Sequence, residues 1–149
     1  MPDHHLAQLN VGRLVAPKDS PIVADFMDNL EAINAVADTA PGFIWRLQDD
    51  SGNATGIAVT EDDSFVINLS VWETIEDLHA YVYRSEHTPF VGRRREWFEP
   101  HAEPHMTMWW IEAGHVPRID EAMARLELIR QNGPSLDAFT FKQTFPAPA

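Results

Sequence analysis

The side chains of this chain best suited to chemistry are its histidines, a handful of arginines and its tryptophans. Cysteine is absent, which removes any thiol nucleophile, thiolate metal site or disulfide framework. His87 is the leading candidate. It falls just past a predicted helix, where its imidazole can turn toward the polar face of a sheet and take a proton near neutral pH. With haem it would instead be the proximal ligand. As a plain helix-terminal residue, its cationic form would simply suit the negative end of the helix dipole. Arg84 and the run Arg93-Arg94-Arg95 stand out in an acidic chain. Guanidinium groups clamp carboxylates, phenolates or haem propionates, although such a run also serves as a solvated segment paired with Asp and Glu. Arg46 is placed in mid-strand, where a charge needs a partner, either a ligand anion or an acidic side chain. Glu99-Pro-His101-Ala-Glu103-Pro-His105 has metal-binding residue types, but Pro104 keeps its histidines off one helical turn, so it reads as a polar connection. His79 lies on an apolar helical stripe as a core histidine, and His115 caps a turn before Pro117. No phosphate loop, dinucleotide fingerprint, nucleophile elbow or zincin helix is present.

The elements that must position these residues follow from periodicity. Leu6–Leu14 alternates as a first strand. Asp19-Ser20-Pro21 opens a helix whose apolar positions Ile22, Phe26, Leu30, Ile33 and Ala37 carry it to about Thr39, and Pro41-Gly42 ends it. Gly42–Gln48 is a second strand, Asp50–Asn53 a turn, and Ser64–Trp72 the third and clearest strand. Thr74 with Asp77 reads as a capping box for a helix bearing Ile75, Leu78 and Val82, which ends near Ser85–His87. A basic, aromatic segment (Gly92–Phe98) precedes the strand Met106–Ala113. Pro117–Asn132 is a helix stopped by Gly133-Pro134, and Phe139–Phe141 is an extended tail. The order β-α-β-β-α-β with an added C-terminal helix predicts a ferredoxin-like α+β fold, one domain over residues 1–149.

Sorting each strand by alternation gives two faces. One is apolar: Ala7, Leu9, Val11; Phe43, Trp45, Leu47; Phe65, Ile67, Leu69, Val71; Met106, Met108, Trp110. It is expected beneath the helices. The other mixes polar and aromatic groups: Gln8, Asn10; Ile44, Arg46, Gln48; Val66, Asn68, Ser70, Trp72; Thr107, Trp109, Ile111. That face is too apolar to stay wet, and the simplest cover is a second copy of the same sheet, trapping a cavity for a small molecule. Trp72 and Trp109 would stack there on a planar ligand, or else pack a dimer core. A net charge of −12 argues against nucleic acid as a partner. No apolar run approaches the length of a membrane span, and the start lacks a signal pattern, so a cytoplasmic location is expected.

HLAQLNVGR (His5–Arg13), PGFIWRLQ (Pro41–Gln48), NLSVWETIEDLHAYVYRSEHTPF (Asn68–Phe90), RRREWFEP (Arg93–Pro100), WWIEAGHVP (Trp109–Pro117) and the stretch from Glu121 to Phe141 together resemble a bacterial family known only as domain of unknown function 3291. The resemblance spans nearly the whole chain. It implies the dimeric α/β-barrel superfamily, which includes antibiotic-biosynthesis-type monooxygenases, haem-degrading monooxygenases, chlorite dismutases and aldoxime dehydratases. Trp72 followed by a helix and His87 is similar to an arrangement in several monooxygenases, with Thr74 here in place of their usual Ser. The resulting expectation is a homodimeric, monooxygenase-like or proton-transfer enzyme acting on an aromatic or polyketide-like molecule. His87, Arg46 and Asn68 would be catalytic, and Trp72, Trp109, Ser70, Gln8, Asn10, Thr107 and Arg84 would bind substrate. No cofactor is required, since a stabilised carbanion can itself reduce oxygen. A haem protein with His87 as ligand, and a non-catalytic dimeric binding module, are the alternatives.

Overall fold

The computed structural model describes residues 3–17, 20–47, 65–83, 94–100 and 104–148. Strand β1 (His4–Arg13) pairs antiparallel with both β3 (Phe65–Trp72) and β4 (Met106–Glu112), and the short β2 (Phe43–Arg46) extends the sheet beyond β3. The resulting order, β2-β3-β1-β4, is that of a ferredoxin-like sheet. Among the described residues the helices are α1 (Ala24–Asp38), α2 (Ile75–Tyr83), a single turn α3 (Arg94–Trp97) within the basic segment, and α4 (Ile119–Asn132).

Local chemistry explains the boundaries. Ser20 Oγ accepts the Ile22 N–H at 3.2 Å, and Pro21 has no N–H to satisfy, so a 3₁₀ turn (Pro21–Val23) leads into α1. The Asp77 N–H donates to Thr74 Oγ1 at 3.1 Å while the Thr74 hydroxyl donates to Asp77 Oδ2 at 2.9 Å, which starts α2. Asp77 also explains Gly42. That residue sits at φ +79°, and a β-carbon there would run into the Asp77 carboxylate. Helix α4 begins two residues later than the predicted Pro117, where the Arg118 N–H donates to Glu121 Oε1 at 3.2 Å. It stops at Gly133, whose N–H returns to the Ile129 carbonyl at 2.9 Å.

Cross-strand partners share a face, so the register fixes what alternation alone could not. Ala7 is opposite both Val71 and Trp109, and Leu9 is opposite both Leu69 and Thr107. Ala7, Leu9, Val11, Ile67, Leu69, Val71, Trp109 and Ile111 therefore form one face, packed on Ala122, Leu126 and Ile129 of α4. This corrects the sorting of β4: Thr107, Trp109 and Ile111 join the apolar face, and Met106, Met108 and Trp110 join Leu6, Gln8 and Asn10. A register shift between Phe43 and Trp45 likewise carries Phe43 over to the side of Trp72.

The coverage is also the reverse of the expectation. Helices α1 and α2 lie over the mixed face. Leu78 of α2 packs with Leu6 and Trp72, while Phe26 and Met27 of α1 pack beside Val66 with Leu14, Trp97 and Phe98. The C-terminal segment closes the β4 side, with Phe139 and Met108 exchanging main-chain hydrogen bonds of 2.7 and 2.9 Å. A second chain is not needed as a lid, because the molecule's own helices and tail cover this face.

Candidate functional site

The mixed face carries one polar rung. Arg46 on β2 is opposite Ser70 on β3, which is opposite Gln8 on β1. Gln8 and Ser70 are buried, each 5% exposed, and they are bonded to each other. Gln8 Nε2 donates to Ser70 Oγ at 2.8 Å and to Asn68 Oδ1 at 2.5 Å, and Trp72 Nε1 donates to Ser70 Oγ at 2.9 Å. Bonding of this kind is what lets amide and hydroxyl groups sit beneath helices. Asn68, next along the same face, is exposed and forms the open end of the row. Asn10 is opposite Asn68 and half-buried.

Beside this row lies a charged and aromatic cluster. Arg46 Nε donates to Asp38 Oδ1 at 2.7 Å and Arg46 Nη2 to Asp38 Oδ2 at 3.2 Å, the two-pronged geometry a guanidinium favours. Its side chain is 11% exposed against 44% for Asp38, so the end of α1 supplies the acidic partner that this largely covered arginine at the end of β2 requires. Trp72 is sandwiched by Phe43, edge-on at 5.4 Å, and by Tyr81 of α2 at 5.1 Å. Burial pushes the Tyr81 phenol well above its ordinary range, with the Asp38 charge adding to that and Arg46 partly opposing it, so the hydroxyl keeps its proton. Neither Asp38 nor Tyr81 was among the sequence candidates. The signals were there: an arginine in need of an acid, and a tyrosine three residues past Leu78 on the inward stripe of α2.

The structure brings together Gln8, Asn10, Arg46, Asn68, Ser70 and Trp72. It separates Thr107 and Trp109, which lie on the opposite face beneath α4. Among the described residues, Thr107 Oγ1 and His5 Nδ1 are buried there with no hydrogen-bond partner, and the Trp109 indole is directed at the Glu121 carboxylate. His87, Arg84, Gln48 and Arg93 lie outside the described residues. His79 is half-buried rather than a core residue, its ring against Tyr83 at 4.7 Å and Phe141 at 5.3 Å. It borders a cavity of about 290 Å³ between α2 and the tail. His115 bonds Glu121 at 2.9 Å. Among the described residues no three His, Cys, Asp or Glu side chains gather to hold a metal ion, and none of the described histidines joins the polar rung. No described helix is long and apolar enough to cross a membrane.

Fold and site together define a ferredoxin-like α+β domain with an extra helix on one sheet face and a hydrogen-bonded polar row on the other. The chain belongs to the family described as domain of unknown function (DUF3291), whose model matches residues 5–149. No curated protein matches it. Among solved structures it is similar to a mutant of SnoaB, a cofactor-independent oxygenase from Streptomyces nogalater, at 14% identity and a TM-score of 0.48, over 77% of this chain and 97% of that one. It is also similar to a putative antibiotic biosynthesis monooxygenase from Nitrosomonas europaea, at 12% identity and a TM-score of 0.48, over 77% and 94% of the two chains. A third, a putative antibiotic biosynthesis monooxygenase from Chloroflexus aurantiacus, matches at 15% identity and a TM-score of 0.44, over 77% and 98%. Likeness at this level does not transfer a reaction.

Proposed function

We propose that the sheet face beneath α1 and α2 binds a small, planar molecule with an acidic C–H bond and deprotonates it, allowing cofactor-free oxygenation. The observation that carries this reading is the juxtaposition of a half-buried arginine with a row of amide and hydroxyl groups that ends in the exposed Asn68. Preorganised donors of this kind stabilise a developing anion because they need not reorient as charge appears. In this reading His87 is the base, Arg46 and Asn68 stabilise the carbanion, and Trp72 with Tyr81 forms the aromatic wall. The carbanion passes its electron pair to dioxygen and takes back a proton to give a hydroperoxide. Loss of water then leaves a carbonyl, so that a methylene and dioxygen become a ketone and water. The homodimer belongs to the same proposal, although the mixed face is no longer its basis. Light scattering on the eluting protein reads the assembly, with twice the chain mass expected.

Proton transfer is tested with 2-tetralone in D₂O, by following loss of its α-proton signals. The protein should accelerate exchange, and His87→Ala should reduce the acceleration roughly 100-fold. Exchange no faster than buffer, or unchanged in His87→Ala, overturns the assignment. A Soret band on adding haemin that vanishes in His87→Ala would replace it with the haem reading.

A further inference from the structure

We infer that the hollow between α2 and the C-terminal segment is a binding site for a small organic cation, an ammonium group carried on a compact aromatic body. The site is separate from the polar row. Leu78 and Tyr81 of α2 turn in toward Trp72, whereas Glu76 and His79 border the hollow, so it needs neither the reaction nor the binding proposed on the sheet. It measures about 290 Å³ and is lined by Ile75, Glu76, His79 and Ala80 with Phe141 and Thr144 of the tail. That is the small end of ligand-sized sites, suited to one ring and a short arm. Its aromatic wall is braced. The His79 ring meets Tyr83 at 4.7 Å and Phe141 edge-on at 5.3 Å, and Tyr83 meets Phe141 at 5.9 Å, so each of the three rings touches the other two.

The polar atoms of the hollow decide what kind of molecule suits it. Asp77 is bonded to Thr74, but Glu76 makes no hydrogen bond or ion pair with any described residue, and the His79 ring has only its aromatic contacts. The Glu76 carboxylate, the Thr144 hydroxyl oxygen and the free nitrogen of a neutral His79 ring can all accept a hydrogen bond. An ammonium brings donors and the opposite charge, and aromatic rings beside it add a cation–π attraction. An anion would be repelled by Glu76, and a hydrocarbon would cover the carboxylate without pairing it. One carboxylate and one imidazole are too few for a metal ion. The chain as a whole, at a net charge of −12, also attracts cations, so a control of equal charge is needed.

The test is a titration of isotope-labelled protein with benzylammonium and with benzyl alcohol, which share an aromatic body and differ in the charged head, followed through amide chemical shifts. Benzylammonium should move the signals of Glu76, Ala80, Phe141 and Thr144 saturably, and benzyl alcohol should move the same signals with about fivefold weaker affinity. Glu76→Gln should bring the two affinities within about twofold. Glu73→Gln removes the same charge from an exposed residue outside the hollow and should leave the preference as in wild type. Ala80→Leu fills the hollow from an exposed helix position and should weaken both ligands by about fivefold or more. Equal affinities in wild type, a preference lost as fully in Glu73→Gln as in Glu76→Gln, or binding untouched by Ala80→Leu would each overturn the site and leave only the general attraction of an acidic chain for cations. Failure of either ligand to give saturable shifts at these residues overturns it as well.

Discussion

The two faces of this sheet grow from the same strands yet treat polar side chains in opposite ways. Beneath α4, Thr107 and Trp109 are fully buried among aliphatic neighbours, and the Thr107 hydroxyl, like the Nδ1 of His5, has no partner among the described residues. Beneath α1 and α2, Gln8 and Ser70 are almost as deeply buried, but every bond between them is made and the row ends in the exposed Asn68. The first face tolerates orphaned atoms as the cost of dense packing. The second holds its polar groups in a set order, bonded to one another. The difference separates two uses of a polar side chain: a bonded row with an exposed end keeps its polar groups ordered, which is why the proposed site is placed there, whereas isolated orphans under a helix only weaken the fold.

Removing the Ser70 hydroxyl is the most severe way to break this contrast. Ser70→Ala leaves Trp72 Nε1 without its acceptor and Gln8 Nε2 with only Asn68, and should lower stability by about 2 kcal/mol in urea unfolding. A loss below about 0.5 kcal/mol would show that the row is wetted by solvent, and the two faces would then differ less than their geometry suggests.

The aromatic wall gives a pH test of intermediate size. Tyr81 holds its proton more tightly in the folded protein than in the unfolded chain, where the ordinary phenol value of 10.0 applies. Above that value the unfolded chain loses the proton while the folded one keeps it. Stability is therefore intact below pH 10 and should fall as pH rises beyond it, by about 1.4 kcal/mol per pH unit. The chain has only two tyrosines, and Tyr83 is exposed, so the Tyr81→Phe variant isolates the effect. Urea midpoints at pH 9 and pH 11 should differ more in wild type than in Tyr81→Phe. Equal slopes would mean that Tyr81 is as solvated as Tyr83.

Much of this architecture was legible in the sequence. The Ser20-Pro21 start of α1, the Thr74–Asp77 start of α2 and the Gly133 stop of α4 are short-range signals that name their own hydrogen bonds, and all three are made. The polar row was legible too, because Gln8, Asn68 and Ser70 interrupt otherwise apolar strands. The side on which β4 presents each residue was not. Met106, Met108 and Trp110 are as apolar as Thr107, Trp109 and Ile111, since both faces of that strand are covered, and alternation carries no sign when both sides are buried. Only the pairing of Ala7 with Trp109 decides it. The bulge that turns Phe43 over is equally silent, because it depends on the strand's partner rather than on its own residues. Tail coverage was missed for a related reason: Phe139 reads as a short extended segment until Met108 offers it an edge.

The smallest effect sharpens the contrast from the other side. Thr107 is fully buried and Val has nearly its shape, so Thr107→Val swaps an unpaired hydroxyl for a methyl group without opening a cavity. On the face beneath α4 nothing is lost by this exchange, because no bond is broken, and the desolvation penalty of the hydroxyl is relieved. Stability should rise by about 1 kcal/mol, read as a higher urea midpoint at unchanged slope. A loss of stability would mean that the Thr107 hydroxyl has a partner after all, such as an ordered water shared with Trp109, and the dry face would then hold a polar network of its own.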